Sequence, residues 1–100
     1  MKRFIALSGC LVSLAAGAAP GADGKAVYTQ VCRACHATGV AGAPILGDRA
    51  AWALRLTIGA DALVASALRG RGGMPPRGGQ PGLTDAQIRA AVEYMIAQSQ

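Results

Sequence analysis

The chain has 100 residues, 52% hydrophobic and 15% charged, with ten Lys or Arg against five Asp or Glu. That length bounds one small domain. The net charge of +5 comes with one Phe, one Trp and two Tyr and no interleaving of basic and aromatic side chains, so it does not argue for a nucleic-acid surface and is compatible with an acidic protein partner.

Met1-Lys2-Arg3 opens the chain, an apolar run follows from Phe4 to Ala16, and small residues, Gly17-Ala18-Ala19, close it. This is the layout of a secretory signal peptide, with Ala16-Gly17-Ala18 as its cleavage match. The run is too short for a membrane span. The expected organisation is a cleaved signal over residues 1–18 and one domain over 19–100, exported to the oxidising periplasm. Leu7-Ser8-Gly9-Cys10 resembles a bacterial lipoprotein cleavage box, which makes a lipid anchor on Cys10 the alternative. That cut would strand most of the apolar run beyond it, whereas the signal peptide explains the whole stretch. Loss of Lys2 and Arg3 leaves eight basic residues against five acidic ones, a charge of +3.

Ala19 to Ala22 reads as a leader. Asp23 is the expected N-cap of a helix from Gly24 to about Ala34, with Val27, Tyr28 and Val31 on one face. Gly39 to Pro44 is a loop. Arg49 to Thr57 forms a short helix with Trp52, Leu54 and Leu56. Asp61 is expected to cap another, which carries Leu63, Val64, Ala67 and Leu68 and stops at Gly70. Gly70 to Gly82 is a long Gly/Pro/Arg loop, a kind that is functional or disordered in small domains. Thr84-Asp85-Ala86-Gln87 is a capping box, and Ile88, Ala91, Val92, Met95 and Ile96 then recur at helical spacing. No segment alternates long enough to predict a strand, so the fold class is all-α, with four or so short helices. The apolar fraction overstates the core, because 22 residues are alanine. Something other than a side chain is expected to fill the centre.

The chemistry concentrates in Cys32-Arg33-Ala34-Cys35-His36. A structural zinc site wants four ligands, and the mature chain holds two Cys and one His. A thioredoxin-like thiol pair wants a βαβ setting, which is missing. C-x-x-C-H is also the attachment motif of a c-type haem. Positions i and i+3 share a helical face, so two thiols there reach the two vinyl groups of one porphyrin, and the adjacent histidine reaches the iron. His36 is the only histidine, which excludes bis-His ligation. Met95 lies on the apolar stripe of the last helix and reads as core. Met74 sits in Gly72-Gly73-Met74-Pro75-Pro76, with no helical face to bury against.

Taken together, Gly24-Lys25 before Tyr28, the Cys32–His36 motif, Gly42-Ala43-Pro44-Ile45-Leu46-Gly47-Asp48, Ala51-Trp52, Gly73-Met74-Pro75-Pro76-Arg77-Gly78 and the last helix with Tyr94 resemble a class I c-type cytochrome, and within it the small bacterial cytochrome c5-like branch. The resemblance spans nearly all of residues 23 to 98. Some cytochromes c5 carry a cysteine pair just after the methionine loop, where this chain has Gly79-Gln80-Pro81-Gly82.

The resemblance implies the cytochrome c fold around one covalent haem c, with thioethers to Cys32 and Cys35 and iron held by His36 and Met74. It implies that the Pro44 carbonyl accepts the free ring N–H of His36, that Trp52 and Arg55 meet a haem propionate, and that Gly24 lets the first and last helices cross closely. Met/His ligation raises the reduction potential relative to bis-His. The function implied is a periplasmic monohaem carrier passing single electrons between redox proteins, not an enzyme. Arg69, Arg71 and Arg77 are expected to form a basic rim for partners with acidic docking surfaces. A monomer is expected. The alternatives are a haem-based ligand sensor in which Met74 dissociates, and an electron-relay subunit of a larger oxidoreductase.

Overall fold

The computed structural model describes residues 23–100; the expected signal peptide, the leader and Cys10 lie outside them. Asp23 Oδ1 accepts from the Ala26 amide at 3.1 Å, which starts α1 (Gly24–Val27). A π-helical turn (Tyr28–Cys32) and α2 (Arg33–His36) follow without leaving helical dihedrals, so one helical stretch runs from Gly24 to His36. The Thr29 hydroxyl donates back to the Lys25 carbonyl at 2.8 Å beside the widened turn, a pairing that loosens and bends helices.

Asp48 Oδ1 accepts from the Ala51 amide at 3.1 Å and caps α3 (Arg49–Leu56). Gly59, at φ +91°, redirects the chain, and α4 (Ala60–Arg69) leaves α3 at 96°. Asp61 does not cap this helix as expected. The turn made by Gly59 starts α4 at Ala60, so Asp61 falls inside the first turn, where its carboxylate still suits the helix dipole. Asp61 reaches across to Arg89 at 2.9 Å instead. Gly70 ends α4 at φ +80°, as the sequence predicts.

The 70–82 loop is ordered. The amides of Arg71 and Met74 each donate to the other's carbonyl at 2.9 Å, closing a tight turn, and a 3₁₀ turn follows over Pro76–Gly79. In the capping box of α5 (Asp85–Gln98), the Gln87 amide donates to Thr84 Oγ1 at 3.1 Å and the Thr84 amide donates to Gln87 Oε1 at 2.8 Å. Among the described residues there is no strand, only one isolated bridge between Arg71 and Met74.

α1 crosses α5 closely, and α4 also packs on α5. A Cβ on Gly24 would lie 2.0 Å from the Ala90 carbonyl oxygen, so only glycine permits the α1–α5 crossing. Tyr28 and Tyr94 meet beside it, ring centroids 5.5 Å apart. The core comprises Tyr28, Trp52, Leu63, Val64, Ala67, Ile88, Val92 and Met95. No bulky side chain among the described residues is less than 2% exposed, because much of this core faces a hollow that opens to the surface. No single described helix is long and apolar enough to cross a membrane.

Candidate functional site

The hollow has a volume of about 580 Å³, within the range of small-molecule and cofactor sites. Cys32, Cys35, His36, Pro44, Trp52, Arg55 and Met74 all line it. The fold thus gathers every site residue read from the sequence around one cavity.

Cys32 ends the π turn, while Cys35 and His36 end α2. Both thiols are free and half-buried. Burial pushes the Cys32 thiol up from its ordinary value. Reactive thiols are shifted the opposite way by nearby positive charge, so Cys32 lacks the character of a redox-switch cysteine. Nor do three His, Cys, Asp or Glu side chains gather anywhere among the described residues in a way that could hold a metal, short of the four ligands of structural zinc.

His36 is buried, with 8% exposure. Its Nδ1 lies 2.8 Å from the Pro44 carbonyl oxygen. A carbonyl only accepts, so Nδ1 carries the proton and the Nε2 lone pair is left for a metal. The same short segment is held at further points. The Leu46 amide donates to the His36 carbonyl at 2.8 Å, and Trp52 Nε1–H donates to the Ile45 carbonyl at 3.0 Å. The Trp52 ring lies 6.1 Å from that of His36. Its one N–H donor is therefore committed to the backbone that positions His36. Arg55 is half-buried and donates to the carbonyls of Ala51 at 3.0 Å and Gly42 at 3.4 Å, two of its five N–H groups.

Met74 enters the wall from the turn it shares with Arg71. Gly70 has two reasons to be glycine: its positive φ, and a Cβ that would lie 2.8 Å from the Met74 carbonyl oxygen. Arg77 leaves the expected basic rim. Its guanidinium donates to Asp85 at 2.6 Å and to the Leu83 carbonyl at 2.9 Å, tying the methionine loop to the start of α5. Arg69 and Arg71 are exposed and make no ion pair among the described residues.

Several lining residues escape a sequence reading. Leu63, Ala67, Ile88, Val92 and Met95 read as ordinary core, and they are core that faces the cavity. Val40, Leu54 and Ile58 line it while remaining 50%, 70% and 57% exposed. Ser99 also went unread. It continues the α5 stripe at the next helical position after Met95, a signal available in the sequence.

These residues fit a covalently held haem: two thiols beside a histidine of fixed tautomer, an apolar wall, and a thioether sulfur on the loop that closes the cavity. The comparisons agree. The family profile described as cytochrome c oxidase, cbb3-type, subunit III matches residues 19–95. Cytochrome c-555 of Chlorobaculum tepidum is 48% identical over 107 residues, covering 99% of both chains. Cytochrome c5 of Azotobacter vinelandii is 42% identical over 75 residues, covering 73% of this chain and 90% of that one. The cytochrome c in a crystal structure of an electron transfer complex with nitrite reductase is 51% identical, covers 78% of this chain and 95% of its own, and superposes with a TM-score of 0.74. The chain belongs to the small monohaem class I c-type cytochromes, all-α proteins that bind one haem c with its iron and carry electrons between redox proteins rather than act as enzymes.

Proposed function

We propose that Cys32 and Cys35 would anchor the haem by thioethers, that His36 and Met74 would supply its iron ligands, and that the protein works as a soluble periplasmic carrier. The observation that carries the ligand assignment is the 2.8 Å contact between His36 Nδ1 and the Pro44 carbonyl, which leaves Nε2 unprotonated on a wall shared with both thiols and Met74. The bound haem supplies a one-electron iron couple. The chain's own residues do the rest. The thiols fix the group in place, and the Pro44 carbonyl orients His36 and raises its basicity. Leu63, Ile88 and Val92 exclude water. Arg55 keeps N–H donors for a propionate, and Trp52 packs as a wall while holding Ile45.

The test of the ligands is spectroscopic. The exported protein gives a covalent-haem pyridine spectrum, and its ferric form shows a weak far-red methionine-to-iron band that Met74→Ala abolishes. Retention of that band in Met74→Ala removes Met74 as a ligand. Export with cleavage near Ala18 is supported by the basic start, apolar run and small-residue site, and N-terminal sequencing of the mature protein checks it.

Docking is assigned to the side where Arg69 and Arg71 stand beside the exposed Leu54 and Ile58. Such a surface suits an acidic redox partner, the charges steering encounter and the apolar centre making contact. A relay subunit is the second reading, favoured by the oxidase-subunit description of the matching profile. Stable co-purification with a membrane oxidase would select it.

A further inference from the structure

We infer that Ser99, next to the last residue of the chain, is a positioning residue for His36 and thereby helps to set the reduction potential. This rests on the assignment of His36 as an iron ligand. Ser99 is 2% exposed, although it follows the last residue of α5, where chains ordinarily fray. Its hydroxyl is used in both directions. It donates to the Met95 carbonyl at 2.7 Å and accepts from the Gly47 amide at 2.9 Å.

The second bond spans 52 residues and lands three residues after Pro44. Segment 44–47 is thereby hung at four points: Pro44 and Leu46 on His36, Ile45 on Trp52, and Gly47 on Ser99. Three of these belong to the neighbourhood of the ligand itself. Leu46 packs against the core cluster that includes Ile88, Val92 and Met95 of α5, and among the described residues Ser99 makes the one hydrogen bond that joins the segment to the end of that helix, whose Met95 forms part of the cavity wall. Gly47 itself is exposed, so without the hydroxyl its amide turns to water and the segment loses its hydrogen bond to the end of α5 while the other three attachments and the fold remain. The Nδ1–H···O=C bond to Pro44 makes the imidazole a stronger donor, which favours ferric iron. Slackening it therefore raises the reduction potential.

The experiment uses the holoprotein with Ser99→Ala, Ser99→Thr and Arg49→Ala. Arg49 supplies a separate, exposed tie to the terminus, Nη2 to the Gln100 carbonyl at 2.9 Å, and serves as the control. Two quantities are read: the reduction potential, and hydrogen exchange of the His36 Nδ1–H proton in the ferrous protein. Ser99→Ala is expected to raise the potential and speed exchange roughly fivefold, the weight of one hydrogen bond. Ser99→Thr keeps a hydroxyl and moves both readouts back toward wild type. Arg49→Ala changes neither. A Ser99→Ala protein that is merely less stable, with both readouts unchanged, overturns the inference, as does an equal shift in Arg49→Ala. If Ser99→Ala does not retain haem, exchange in the wild type decides. The Gly47 amide and His36 Nδ1–H must open with the same denaturant dependence, and independent opening overturns the coupling. Failure of the underlying ligand assignment looks different, since the wild type itself would then lack the far-red band.

Discussion

At the scale of single residues, His36 shows how one contact decides a role. A histidine beside two cysteines has two ring nitrogens, and only the carbonyl opposite Nδ1 tells which one keeps a free lone pair, the basis on which His36 is proposed as an iron ligand. Tyr28 is a second case. Burial, and then the neighbouring Tyr94, raise its phenol above the ordinary value. The folded protein therefore holds the Tyr28 proton more tightly than the unfolded chain does. The stabilisation is fully present below about pH 10, the ordinary tyrosine value, and is lost as pH rises through the higher folded value. Denaturant unfolding of the holoprotein between about pH 9 and pH 11 should show stability falling in that window, with a shallower fall in Tyr28→Phe. An equally steep fall in the variant would assign the alkaline loss to other groups.

At the scale of elements, the crossing of α1 and α5 depends on the missing side chain of Gly24. A methyl there would meet a backbone carbonyl at 2.0 Å, which a rotamer change cannot relieve. Overpacking of this kind costs roughly 3 kcal/mol, which for a domain of this size lowers Tm by on the order of 10 °C. A melting curve of Gly24→Ala measures it, and an unchanged Tm would mean that the helices do not cross this closely. The element-level signals in the sequence were uneven. The Thr84 capping box and the α5 stripe were legible because cap chemistry and helical period are local. The start of α4 was misplaced because Gly59 turns the chain with no side chain to announce it. The methionine loop reads as functional or disordered from its length and composition. It is ordered by the Arg71–Met74 turn and by Arg77, which takes Asp85 and Leu83 rather than facing a partner.

At the scale of the whole molecule, a hollow of about 580 Å³ lies where a small domain needs its core. Leu63, Ile88, Val92 and Met95 of the core face it, so without the haem their apolar surface meets water instead of a packed partner. A Cys32→Ala/Cys35→Ala protein produced without haem should therefore be largely unfolded, with most of its far-UV helical signal gone. A native-like helical signal would show that the side chains alone suffice. Charge acts at the same scale. Arg69 and Arg71 stand free among the described residues beside exposed apolar side chains. Electron transfer to an acidic partner should slow as salt rises, because exposed charges separated by more than about 10 Å are screened at ~0.1 M. Stopped-flow rates across a salt series test this. Arg69→Ala/Arg71→Ala should flatten the slope, and a salt-independent wild-type rate would remove the steering role.

The sequence by itself determined the helical class, the haem-attachment motif and the scarcity of large core side chains, since each is written in local spacing or in composition. It also singled out Met74, by the count of methionines and its loop setting, and offered Pro44 through resemblance. What only the tertiary structure decided was how residues far apart share one site. It set Arg77 on Asp85, Asp61 on Arg89 and Ser99 on Gly47, and it turned the apolar stripes of α4 and α5 into the wall of a cavity. The physical reason is range. Caps, turns and helical faces are settled within a few residues, whereas a hydrogen bond across 52 residues exists only once the packed helices bring its two ends together.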